Sequence, residues 1–69
     1  MDDMYEVAKY FLNNEQEVHL DLTSGKWLNG VIINLESDRL ILRERVLGVM
    51  PVFLCRVISI VPARSSNDQ

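Results

Sequence analysis

Apolar and polar positions change their period once along this chain. Between residues 2 and 13, Met4, Val7, Ala8, Phe11 and Leu12 recur at helical spacing on one stripe, while Asp2, Glu6, Lys9 and Asn13 lie mostly off it. The spacing predicts an amphipathic helix over residues 2–13. Asp3 followed by Glu6 is a variant of the capping box, and acidic residues in the first turn suit the helix dipole. Asn13 and Asn14 provide the stop, because asparagine tolerates the left-handed conformation.

From Glu17 the period is two. Val18, Leu20 and Leu22 alternate with Glu17, His19, Asp21 and Thr23, which describes a strand with one buried face. Ser24-Gly25-Lys26 is a tight turn, and a second strand runs from Trp27 to about Glu36, with Leu28, Gly30 and Ile32 expected opposite Leu22, Leu20 and Val18. A glycine inside a strand weakens it unless a bend or a close approach needs one, and Gly30 is placed for that. Ser37-Asp38 is the next turn, Arg39 to Val46 alternates again, and Gly48 marks a loop. Val49–Leu54 and Val57–Val61 are apolar runs with little alternation; Pro51 restricts its position to a strand start, bulge or edge, and Pro62 ends the last strand. The pattern predicts a mostly β fold: an N-terminal helix, then a five-stranded, strongly bent small barrel over residues 17–62. The domain is expected to span 1–64, with a polar tail at 65–69.

Length sharpens the meaning of the last two strands. A chain of 69 residues is one domain, and one this short buries only about 60% of its unfolded surface. Such domains lean on disulfides, metals or oligomers. One cysteine, Cys55, and one histidine, His19, leave no internal disulfide and no zinc-ligand spacing. Runs apolar on both faces invite aggregation at an open edge, so Val52, Phe53, Leu54, Val57, Ile58 and Ile60 are the candidate contacts between copies, closing a homo-oligomeric ring. No apolar run reaches the roughly 18 residues of a membrane span, and the acidic start, Met1-Asp2-Asp3, is unlike a secretory signal. A cytoplasmic protein without membrane attachment is expected. The net charge of −3 argues against a broad phosphate-binding surface, though not against a local basic ring.

Two stretches carry a resemblance. Leu22-Thr23-Ser24-Gly25-Lys26-Trp27-Leu28-Asn29-Gly30-Val31-Ile32 is similar to the first motif of the Sm, LSm and Hfq proteins, and Val52-Phe53-Leu54-Cys55-Arg56-Val57-Ile58-Ser59-Ile60-Val61-Pro62 resembles the second. Together with the leading helix the similarity covers roughly residues 3–64. It implies an Sm-like barrel, subunits paired by their fourth and fifth strands into a ring, and single-stranded RNA bound at two loops. Carried across by position, those loops are Glu36-Ser37-Asp38-Arg39 and Cys55-Arg56. Departures fall at the same place: Leu40 stands where Sm proteins have a base-contacting Asn, Hfq's loop aromatic has no counterpart beside Ser37-Asp38, and Cys55-Arg56 replaces Hfq's Lys-His and the Sm Arg-Gly.

The candidate RNA-binding residues are therefore Ser37, Asp38, Arg39, Cys55 and Arg56. Arg39 and Arg56 suit phosphate contact or base stacking; the alternative is pairing with Asp38, Glu36 or a neighbouring carboxylate. Asp38 either contacts a base or bonds its own turn. Trp27 is either a stacking platform or a packing residue. Cys55 has no His or second Cys to activate it, so no nucleophilic catalysis is expected. No catalytic residue, metal site or cofactor follows from the sequence. RNA binding by a ring is the expected function; the alternative is an oligomeric scaffold or adaptor for protein partners.

Overall fold

The computed structural model describes residues 3–63. The expected tail at 65–69 and the first helical residue lie outside them, as does the side chain of Asp3 on which the capping box depends. The order is α1 (Asp3–Asn14), β1 (Glu17–Leu22), β2 (Trp27–Leu35), β3 (Arg39–Glu44), β4 (Gly48–Phe53), a single 3-10 turn (Leu54–Arg56) and β5 (Val57–Pro62). The five strands form one antiparallel sheet in the order β4-β3-β2-β1-β5.

Topology forces this sheet to curl. β4 and β5 lie at opposite edges, which in a flat five-stranded sheet are roughly 19 Å apart. Phe53 and Val57 are separated by four residue steps, a reach of at most about 14 Å. The two edges are thus drawn toward each other into an open barrel, although β4 and β5 do not pair within the chain. Curling wraps the inner faces around Val18, Leu20, Ile32, Leu40, Leu42, Val52, Leu54, Val57 and Ile60. α1 packs against β2 and β5, adding Ala8 and Phe11 to that core.

Two bulges explain where strict alternation fails. Between β2 and β3 the register slips at Ile33, so that Ile32 pairs with Leu42 but Asn34 with Ile41. The slip shifts the phase after Ile33 and brings Leu35, which strict alternation would point outward, against the core. Between β1 and β5, Asp21 pairs with Ser59 but Leu22 with Val57. Ile58 is the extra residue, and Val57 and Ile60 both turn inward at a spacing of three.

Several expected boundaries move. The β1–β2 register is shifted by two residues from the expected one, with Leu20 opposite Leu28 and Val18 opposite Gly30. Leu22 N–H donates to Lys26 O at 2.9 Å and Gly25 N–H to Leu22 O at 3.0 Å. The turn is therefore Thr23-Ser24-Gly25, with Gly25 at φ +91°. A slip of two preserves which face each side chain takes. β2 ends at Leu35 rather than Glu36. β3 ends at Glu44 rather than Val46, because the Glu44 carboxylate accepts the N–H groups of Val46 at 2.7 Å and Leu47 at 2.6 Å and holds a turn there. Gly48, expected in a loop, opens β4 at φ +87°.

The helix stop also differs. Asn14 remains the last helical residue and its side chain donates back to Tyr10 O at 2.7 Å. The left-handed residue is Glu15, at φ +52°. Glu15 N–H donates to Leu12 O and Gln16 N–H to Phe11 O, the paired bonds of a Schellman end.

Candidate RNA interface

The hairpin β2–β3 and the 3-10 turn between β4 and β5 are distant in sequence and adjacent in space. Leu54 N–H donates to Asp38 O at 2.9 Å and ties the two connections together. Buried Leu54 anchors the turn, leaving Cys55 and Arg56 exposed. Ser37, Asp38 and Cys55 thereby share one hollow of about 350 Å³, walled by Met4, Phe53 and Leu54. Arg56 borders a different, more apolar hollow with Leu22, Leu28, Met50 and Pro51.

Arg39 is not a free cation. Its Nε lies 3.0 Å from Asp38 Oδ1 and its Nη2 3.3 Å from Asp38 Oδ2, a two-pronged bond, with Glu36 Oε1 3.7 Å away. The guanidinium carbon stands 5.0 Å from the centre of the Phe53 ring. Arg39 and Phe53 are direct partners across the β3–β4 ladder, which brings them together. The hydrogen bond from Arg39 holds the Asp38 carboxyl below the usual aspartate value, and the same bond raises the Arg39 guanidinium above its own. Arg56 makes no ion pair among the described residues, and its carbonyl accepts Thr23 N–H at 2.9 Å.

Trp27 stands apart from both connections. It is 60% exposed, so it does not pack under the helix. Its ring stacks on His19 with centroids 5.4 Å apart. His19 bonds Asn29 Oδ1 at 2.7 Å and Asp21 Oδ1 at 3.2 Å, and Ser59 Oγ donates to Asp21 Oδ2 at 3.1 Å. Alternation showed His19 and Asp21 as polar outward positions; only pairing of β1 with both β2 and β5 shows that they join Asn29 and Ser59 in one chain.

Among the residues expected between copies, Val52, Leu54, Val57 and Ile60 turn their side chains into the chain's own core. Phe53 and Ile58 are exposed, at 45% and 60%. What the first four can offer a second copy is backbone. Phe53's position against Arg39 escaped the sequence reading, because it depends on the β3–β4 register. Among the described residues, no three of His, Cys, Asp and Glu converge to hold a metal ion, and no helix is long and apolar enough to cross a membrane.

No family model matches the chain, and no curated protein matches it in sequence. Among solved structures it is similar to a crystal structure of Hfq, described as a pleiotropic translational regulator. The two are 16% identical over 81% of this chain and 92% of that one, with a TM-score of 0.73. At that identity the likeness is one of fold, and the chain has the Sm-like fold of Hfq: a helix followed by five antiparallel strands.

Proposed function

We propose that this Sm-like chain assembles edge to edge into a ring of identical subunits that binds single-stranded RNA at the paired connections carrying Ser37, Asp38, Arg39, Cys55 and Arg56. The observation that carries assembly is the state of the sheet's ends. β4 and β5 are both unpaired edges within the chain, and Val49, Phe53, Ile58 and Val61 expose apolar surface along them. Such edges are templates for pairing with another chain. Joining β4 of one copy to β5 of the next satisfies both at once, and a repeated head-to-tail contact closes into a ring. RNA binding is supported by the likeness to a translational regulator, by the hollow shared between the two connections, and by Arg56, which makes no ion pair among the described residues. Exposed Trp27 adds a stacking surface for a base. The reading places the protein in the cytoplasm, needs no cofactor or catalytic group, and treats residues 65–69 as a tail outside the domain.

A second reading is favoured by one observation. Asp38 and Glu36 already occupy Arg39, so the ring would serve as a scaffold for protein partners in place of RNA. Light scattering on the eluting protein, with absorbance at 260 and 280 nm, separates the two. A multiple of the 8.0 kDa subunit that carries nucleic acid, or that binds a short RNA pool at low salt, is the expected result. A monomer at micromolar concentration overturns the ring. A ring that binds no RNA overturns the RNA reading and leaves the scaffold.

A further inference from the structure

The arginines of this chain divide by what holds them. Arg39 is embraced by two carboxylates and lies against Phe53. Arg43 and Arg45 are exposed and make no ion pair or side-chain hydrogen bond among the described residues. Arg43 lies four residues beyond Arg39 along β3, roughly 13 Å away at strand rise.

Arg43 and Arg45 line one hollow of about 440 Å³, which shares no lining residue with the hollow of Ser37, Asp38 and Cys55. Its walls include Val31 and Val49, each paired directly with Arg43 across the sheet. Two carboxylates also border it. Glu44 is committed to the amides of Val46 and Leu47, and Glu17, on β1, pairs with neither arginine. Arg43 belongs to the end of β3 and Arg45 to the turn that Glu44 holds, and both border the same hollow beside Val31 and Val49. Each guanidinium presents a fork matched to phosphate oxygens. With neither guanidinium ion-paired among the described residues, both forks are open to the phosphates of the RNA proposed above.

We infer that Arg43 and Arg45 form a second phosphate-holding site for single-stranded RNA, on the outer side of the β3–β4 hairpin and separate from the connections that carry Arg39 and Arg56. The inference rests on the RNA reading proposed above, so its test separates the two. A short fluorescent single-stranded RNA is titrated at several salt concentrations against the unsubstituted protein, an Arg43→Gln/Arg45→Gln variant and an Arg43→Lys/Arg45→Lys variant. Circular dichroism confirms that each remains folded.

Each phosphate neutralised on a single strand contributes about 0.7 to the slope of log affinity against log salt. The glutamine variant is expected to bind more weakly and to lose about 1.4 from that slope. The lysine variant is expected to keep the slope while losing affinity, because point charges replace forks. An unchanged slope and affinity in the glutamine variant, with the unsubstituted protein binding RNA, overturns this site alone. No binding by the unsubstituted protein at low salt overturns both readings. An oligoglutamate that displaces the RNA as well as an RNA competitor of equal charge overturns the assignment to RNA in favour of an acidic protein segment.

Discussion

Gly30→Ala isolates the close approach that lets the sheet curl. Gly30 is buried in the middle of β2, between Val18 on one side and Glu44 on the other. A Cβ there would stand 2.5 Å from the carbonyl oxygen of Arg43 and 3.0 Å from Leu42 Cγ. The nearer atom is backbone, so no rotamer change relieves it. Arg43 would have to withdraw by most of an ångström, and its own pairing with Val49 resists that. Overpacking of this kind costs about 1–3 kcal/mol, and a backbone obstacle belongs at or above the upper end. Alanine recovers about 0.5–1 kcal/mol over glycine in a strand interior. The net expectation is a loss of roughly 2 kcal/mol. For a domain of this size each kcal/mol moves Tm by roughly 4–8 °C, so Tm should fall by about 8–16 °C. Thermal unfolding by circular dichroism, at one fixed protein concentration because assembly shifts Tm, reads the change. Leu42→Ala in the same chain should not rescue it. A Tm within about 2 °C of the parent would refute the steric account of Gly30.

Four further outcomes follow from the geometry. Glu15→Gly releases a left-handed L-residue, worth about 1–2 kcal/mol, against about 0.4–1 kcal/mol of added unfolded-state freedom; urea unfolding should show a net gain of up to about 1.6 kcal/mol. Leu20→Ala removes a fully buried side chain from the strand between β2 and β5 and should cost about 2–5 kcal/mol by the same measurement. The Asp38 carboxyl is held down by Arg39, so an NMR titration should place its midpoint below 3.8 and Arg39→Gln should raise it. In sign, this lowering stabilises the fold above the ordinary aspartate value, and the gain is lost as pH falls through the depressed one. Ile58→Lys puts a charge on the β5 edge at a residue already exposed by a bulge; light scattering should then report a smaller particle with an unchanged circular dichroism spectrum.

Local pattern was enough for the elements and their inner faces. The 3.6-residue stripe of α1 and the alternation of Val18 with Leu20, and of Leu40 with Leu42, need only neighbours along the chain, because side-chain direction repeats with the element's own period. Gly30 was legible for a similar reason, since a glycine inside an otherwise apolar strand has few other uses. Register was not legible. It depended on whether Gly25 or Lys26 closed the turn, a choice between hydrogen-bonding patterns that share the same residues.

Nor could alternation place the two bulges, because an extra residue is defined only against a partner strand. That is why the inward turn of Leu35, and of Val57 together with Ile60 at a spacing of three, could not be read along the chain. The candidate site divides in the same way. Asp38 beside Arg39 is a sequence fact, and their pairing was one of the two readings open there. The Phe53 ring beneath that arginine, the bond from Leu54 to Asp38, and the absence of an ion pair on Arg43 and Arg45 among the described residues were decided by tertiary structure alone. Each depends on which strand lies beside which, and therefore on how far the sheet curls before its own backbone stops it.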